Sequence, residues 1–204
     1  MSQRFAPEQS APEWTPEVDA RLARVGMRIL LGADVFFFAA FFFAFFYLRA
    51  LNNDYAWLPA GTTHPTRAIG AIIVLLLVLC AAFYMLGARA LGKTPLAKSP
   101  SIARPLFWLA LIAGILGGVV QLYEFRNLGF DPQLGGGFPS VFVGLKGGLL
   151  AQLVGALLWL GSHIAQARPL GDSAARPASA GMFGYFLIFL AGVSLVAYLV
   201  LYFV

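Results

Sequence analysis

Residues 104–126 read RPLFWLALIAGILGGVVQLYEFR, an apolar run that carries Gln121 and Glu124 near its end. An ionised carboxylate inside a bilayer is costly, so it normally faces protein and has a partner. Gly114, Gly118, Gln121 and Glu124 recur at intervals of three or four, which places them on one face of a helix. Because small residues let membrane helices approach closely, this pattern predicts a helix that packs along this face, with its polar end buried among other helices.

The composition of the whole chain is that of an integral membrane protein. Of its 204 residues, 60% are hydrophobic and 11% are charged, whereas soluble domains average about 25% charged residues. The net charge of +5 comes from short segments between apolar runs, which argues against a nucleic-acid partner. The single cysteine, Cys80, excludes a disulfide framework within the chain.

Five apolar runs are near or above the roughly 20 residues that a helix needs to span a bilayer. They cover about 27–48, 68–91, 104–126, 140–166 and 182–203. We therefore predict an all-α membrane protein with an N-terminal segment, 1–26, and a five-helix transmembrane domain, 27–204.

The segment 1–26 is polar and rich in proline, unlike a signal peptide, so we expect it to be retained. Pro16 suits the first turn of a helix. Trp14, Val18, Leu22 and Val25 would share one face of it. The pattern predicts a short amphipathic helix lying on the membrane surface or on a neighbour, and disorder is the alternative.

The basic residues predict the orientation of the chain in the membrane. With Lys146 left out because it lies within a span, ten basic residues fall on one side and three on the other. The ten are Arg4, Arg21, Arg24, Arg28, Arg89, Lys93, Lys98, Arg104, Arg168 and Arg176, and the three are Arg49, Arg67 and Arg126. This asymmetry predicts a cytoplasmic N-terminus and, after five spans, an external C-terminus.

Asp34 is the unusual residue of the first span. By the rise of 1.5 Å per residue it is expected about two turns from the cytoplasmic end. One interpretation is a proton-handling carboxyl, and the other is a structural hydrogen bond to a neighbouring subunit.

Glu124 and Lys146 are expected at similar depth, since spans three and four run in opposite directions. A structural ion pair that fixes the two helices together is the simpler interpretation. In the alternative, each side chain extends to the outer interface.

Span four carries small residues at helical spacing, Gly144, Gly148 and Gly155, which predict helix packing. His163, at the cytoplasmic end of span four, and His64, in the first outer loop, are expected to be interfacial or capped by a hydrogen bond rather than metal ligands. Two histidines and one cysteine, far apart in the chain, do not supply the usual ligands of a haem pair, a di-metal centre or a zinc site. We therefore expect neither a metal site nor a redox cofactor in this chain.

Three segments resemble subunit III of the haem–copper oxidases. Gly32 to Phe38, with the phenylalanines after it, is similar to the family's Ser-Glu-Val-x-Phe-Phe span. Gln121 to Phe125 is similar to its Gln-x-x-Glu-Tyr segment, and Phe138 to Leu145 to the entry of its next span. The five-span length resembles the shorter bacterial members, which include quinol-oxidase subunits and proteins associated with nitric oxide reductase. The chain departs from the family where Asp34 replaces Glu and where 147–152 lacks the family's histidines.

The resemblance implies a non-catalytic accessory subunit of a respiratory oxidase in the bacterial inner membrane. It implies that the chain packs on catalytic subunit I, in a complex with subunit II, and that haem and copper lie in those partners. It also implies bound phospholipid between the helices and a role in proton uptake, for which Asp34 is the candidate. The alternatives are a protein associated with nitric oxide reductase and an independent transporter. A transporter would require polar residues near mid-membrane, where we expect apolar residues and glycine.

Overall fold

Five α-helices make up nearly all of the described chain. The computed structural model describes residues 16–51, 57, 63–93, 100–130, 136–166 and 176–204, among which there is no β-strand. The helices are α1 (Pro16–Leu51), α2 (Arg67–Lys93), α3 (Pro100–Arg126), α4 (Gly137–Gln166) and α5 (Arg176–Phe203).

Each helix contains a segment that is long and apolar enough to cross a membrane. These segments are Ala20–Leu51, Arg67–Ala90, Ile102–Arg126, Gly137–Ala165 and Gly181–Phe203. The prediction of an all-α, multi-pass protein with five such helices is confirmed, and the orientation of the chain stays a prediction.

The first helix differs from expectation at its beginning. It starts at Pro16 and continues unbroken to Leu51, so the boundary expected near residue 26 lies inside one helix. Val18, Leu22 and Val25 are exposed on it, whereas Trp14 lies outside the described residues. No proline stands between 17 and 51, which allows one continuous helix. Contact of this face with a membrane surface stays a prediction.

The helices are arranged as a ring in the order α2, α3, α4, α1, α5, and α4 also contacts α5 across it. Helix α1 therefore contacts α4 and α5 but not α2, its neighbour in sequence. It is also the most exposed of the five spans. Phe38, Phe45, Tyr84, Phe142 and Phe183 are the large buried aromatic side chains of the interior.

Helix α4 begins at Gly137, earlier than the sequence indicates. Gly136 immediately before it has a φ of 114°, a backbone conformation that favours glycine. Its carbonyl accepts a hydrogen bond from the Ser140 hydroxyl at 2.9 Å. This turn sets the direction in which α4 enters the bundle.

Helices α2 and α5 approach closely where α2 begins. A Cβ built on Gly70 would lie 2.7 Å from the Tyr202 ring and 2.8 Å from the Tyr198 ring. Arg67 fixes the end of α5 at the same place, because its Nε donates to the Tyr202 carbonyl at 3.2 Å. Such carbonyls at a helix C-terminus have no partner within the helix.

We predict that Gly70→Ala destabilises the protein. The Tyr202 ring cannot yield without straining its hydrogen bond to Glu124. Overpacking costs about 1–3 kcal/mol, which outweighs the gain of up to about 1 kcal/mol from the better helix former. The measurement is the free energy of unfolding in detergent. Gly192→Ala is the matched control, since a Cβ at Gly192 meets no atom within 4 Å. Equal effects of the two substitutions would contradict the close approach.

Candidate functional site

An ion-pair cluster lies at the end of the bundle where α3 and α5 finish. Lys146 Nζ is 2.9 Å from Glu124 Oε2, and both side chains are buried. The Tyr202 hydroxyl donates a hydrogen bond to the other carboxylate oxygen, Oε1. Both oxygens of Glu124 therefore have partners, one from α4 and one from α5.

Gln121 joins the same cluster one turn before Glu124. Its Nε2 donates to the backbone carbonyl of Lys146 at 2.6 Å. Earlier in α3, Gly118 faces Leu153, and a Cβ built on Gly114 would lie 2.6 Å from Leu157. The face predicted from the sequence is therefore in contact with α4 along several turns of both helices.

Aromatic rings surround the ion pair. The Lys146 ammonium lies 5.5 Å from the centroid of the Tyr202 ring and 5.9 Å from that of Phe142. Phe142 in turn contacts Phe130 and Phe138, and Phe138 contacts Trp57. Because these rings limit contact with water, the two charges interact in a medium of low dielectric constant, where each depends strongly on the other.

Asp34 forms a second polar contact, between α1 and α4. The residue is 5% exposed, and its Oδ1 accepts a hydrogen bond from Gln152 Nε2 at 2.8 Å. Its Oδ2 has no hydrogen-bond partner among the described residues. Gln152 lies in the middle of α4, so the carboxyl stands near mid-span.

Two expectations about Asp34 are corrected by this contact. The carboxyl lies deeper than two turns from the helix end, because α1 starts earlier than expected and the partner is at the centre of α4. The Oδ1 atom bonds to Gln152 of the same chain, and a hydrogen bond from a neighbouring subunit to this carboxyl stays a prediction. The expectation of a purely apolar or glycine centre is wrong at this position.

His163 has two partners toward the opposite end of the bundle. Its Nε2 accepts from Trp159 Nε1 at 3.0 Å, since an indole nitrogen can only donate. Its Nδ1 lies 3.2 Å from the hydroxyl of Tyr84 on α2, which is fully buried. A neutral His163 therefore carries its proton on Nδ1 and donates it to Tyr84. These two hydrogen bonds agree with the expectation of a capped histidine, and the ring of the other histidine, His64, lies edge-on against Phe138.

The small residues of α4 divide into two groups. Gly144 and Gly148 face the rings of Phe41 and Phe37 of α1, with a built Cβ 2.7 Å and 3.0 Å from them. Gly155, predicted to pack in the same way, lies on the exposed side of α4, where a Cβ meets no atom within 4 Å. Its predicted packing role is not met within this chain.

Three site residues were not singled out from the sequence: Gln152, Tyr202 and Tyr84. Gln152 carried a detectable signal, because it is a polar residue in the middle of an apolar span, four positions after Gly148. Tyr202 and Tyr84 carried none, since a tyrosine in a span is equally typical of the interface. Among the described residues, no three His, Cys, Asp or Glu side chains come together.

The chain is thus a multi-pass, five-helix protein with charged and polar contacts buried between its helices. In comparisons with known proteins, no family model matches the chain and no curated protein matches it.

We predict strong coupling between Glu124 and Lys146. Removing one partner of a buried pair strands the other charge and costs about 3–5 kcal/mol. In a double-mutant cycle with Glu124→Gln and Lys146→Gln, the double variant should therefore lose less stability than the sum of the two single variants. Thermal and denaturant unfolding in detergent provide the measurement.

Arg126→Gln is the control for this cycle. Arg126 is exposed two residues after Glu124, so its loss should change stability by no more than about 0.5 kcal/mol. Additive effects of the Glu124 and Lys146 substitutions would show that the two side chains do not interact.

We also predict that Gln152→Leu destabilises the contact between α1 and α4. The substitution leaves a buried carboxyl without its donor, which costs about 1–3 kcal/mol. The double variant Asp34→Leu with Gln152→Leu should recover most of this loss. In it, two leucines pack against each other, whereas in the single variant the Asp34 carboxyl faces a leucine that cannot donate a hydrogen bond. The same unfolding measurement applies. A double variant that is less stable than Gln152→Leu would contradict a pairwise contact.

Proposed function

We propose that this chain is a non-catalytic accessory subunit of a respiratory haem–copper oxidase, similar to subunit III, in the inner membrane of a bacterium. In this proposal, haem and copper reside in partner subunits I and II. The chain packs on subunit I, retains phospholipid and supports proton uptake. The electron donor of the complex is not part of the proposal.

The observation that carries the proposal is the placement of the residues on which the resemblance rests. Asp34, Gln121 and Glu124 come from two of the similar segments, and all three are buried between helices. Each contacts α4, through Gln152 or Lys146. Segments that are far apart in the chain therefore contribute to one interior, as expected if they are parts of a shared architecture.

The outer surface of α1 also supports an accessory role. Ile29, Val35, Phe36 and Phe43 are 51–80% exposed on the most open helix of the bundle. Because lipid and a second membrane protein are both suitable neighbours for such a face, α1 can contact a larger subunit without rearrangement.

A second candidate function is favoured by Asp34 itself. The Asp34 carboxyl lies near mid-span, and its Oδ2 has no hydrogen-bond partner among the residues that the structure describes, as is typical of proton-handling groups in transporters. An independent proton-coupled transporter would function in vesicles that contain this chain alone, whereas an accessory subunit would require its partners. Proton flux in such vesicles distinguishes the two proposals.

We predict that Asp34→Asn lowers oxidase turnover at alkaline pH, where protons are scarce, while the complex still assembles. Asparagine keeps the shape of the side chain and can still accept the hydrogen bond from Gln152, but it cannot carry a proton. Turnover is measured across pH in membranes from a strain that carries the variant. Gly155→Ala is the control, since its site is open. A turnover profile that matches the unaltered protein at every pH would leave Asp34 with a structural role only.

We predict further that deleting the chain leaves the haem spectrum of the remaining complex nearly unchanged. Without its accessory subunit, the oxidase should lose activity faster during turnover or take up protons more slowly. The remaining subunits are purified, and their spectrum, initial rate and decay of rate are compared with those of the intact complex. Loss of a haem or copper signal from folded partner subunits would overturn the proposal.

A further inference from the structure

The first turns of α1 present three arginines on one side. Arg21, Arg24 and Arg28 are exposed and, with Val25, line one shallow depression. At 3.6 residues per turn, the three side chains fall within a sector of about 60° around the helix. Arg24 Nε donates to the Ala20 carbonyl at 3.1 Å, which directs this guanidinium along the helix axis.

An apolar strip runs beside the arginines. Val18, Leu22, Val25 and Ile29 are 42–68% exposed and occupy the neighbouring sector of about 60°. This helix surface therefore offers cationic and apolar contacts side by side, and no helix among the described residues covers either.

The depth of the arginines follows from the position of Asp34. If that carboxyl is near mid-membrane, Arg28 stands about 9 Å from the centre, Arg24 about 15 Å and Arg21 about 20 Å along the helix. The hydrocarbon core extends about 15 Å from its centre. Arg24 and Arg21 are therefore at the level of the lipid headgroups, and Arg28 can reach it by extending its side chain outward.

One carboxylate faces the same sector. Glu17 lies one turn before Arg21 and is exposed, further from the hydrocarbon than any of the three arginines. Asp34 is buried between α1 and α4 and does not share this surface. The three arginines therefore give this sector a net positive charge at the depth of the lipid phosphate groups.

We propose that Arg21, Arg24 and Arg28 bind the phosphate of an anionic phospholipid, whose acyl chains lie on Val25 and Ile29. Guanidinium groups bind phosphate oxygens in pairs of hydrogen bonds. An acidic protein would satisfy the arginines equally well, but it would not account for exposed Val25 and Ile29 at the depth of the acyl chains. The inference depends on the chain lying in a membrane and not on the oxidase assignment, so the two can fail separately.

The test compares lipids bound to the purified full-length chain. Phosphatidylglycerol and phosphatidylcholine are added in equal amounts to the protein in detergent, and native mass spectrometry gives the ratio of the two complexes. Each basic side chain near a membrane surface contributes a factor of about five to binding of anionic lipid. Arg24→Gln should therefore lower the ratio several-fold, and the triple variant Arg21→Gln, Arg24→Gln, Arg28→Gln should lower it further.

The matched control is Arg89→Gln with Arg104→Gln. Both residues are exposed arginines on other helices, and sequence predicts them on the same side of the membrane. This control should lower the lipid ratio less than the triple variant does, because these two arginines do not line the depression. Helix content by circular dichroism verifies that each variant is folded, and the single variant serves if the triple variant is not.

Four results would overturn the proposal. They are an unchanged ratio in the arginine variants, an equal fall in the control, binding of inorganic phosphate that the triple variant loses while its lipid ratio is kept, and loss of a co-purifying protein from the triple variant while its lipid ratio is kept. The third would indicate a site for soluble phosphate, and the fourth a protein partner. A selective fall of the lipid ratio in the arginine variants is the result we expect.

Discussion

A polar or charged group between membrane helices needs a partner, and in this protein α4 supplies partners to α1, α2 and α3. Lys146 binds Glu124 of α3, to which Tyr202 of α5 also donates. Gln152 binds Asp34 of α1, and His163 reaches Tyr84 of α2. These three residues of α4 are spread over 17 positions, or about 25 Å along the helix. The bundle is therefore joined through α4 at three depths.

Glycines lie beside the polar contacts and allow the helices to approach closely there. In lipid, apolar burial does not draw helices together, so van der Waals contact and hydrogen bonds carry more of the association. Gly144 and Gly148 admit Phe41 and Phe37 beside the contact between Asp34 and Gln152. Gly114 does the same for Leu157 on the face of α3 that carries Glu124. Loss of a glycine at these positions should therefore disturb the polar contact beside it as well as the packing.

The sequence was sufficient to locate the five helices because length and apolar composition are local properties of a segment. It also indicated the pairing of Glu124 with Lys146, since antiparallel neighbours bring residues at equal depth together. It was not sufficient for the contacts of Asp34, His163 and Tyr202. Those depend on the order of helices in the ring and on which faces meet, and hydrophobicity does not encode either. The expected depth of Asp34 was shifted because the sequence did not show that the helix beginning at Pro16 continues without a break into the first span.

Solid-state NMR of the protein in lipid tests the central ion pair most directly. Lysine labelled with ¹⁵N at Nζ and glutamate labelled with ¹³C at Cδ give few candidate pairs, since the chain has three lysines and four glutamates. Because Lys146 Nζ lies 2.9 Å from Glu124 Oε2, we expect one dipolar coupling between the labelled nitrogen of Lys146 and the labelled carbon of Glu124, which are about 4 Å apart. This coupling should disappear in Glu124→Gln. Absence of any short ¹³C–¹⁵N distance in the folded, lipid-embedded protein would contradict a bundle joined through α4.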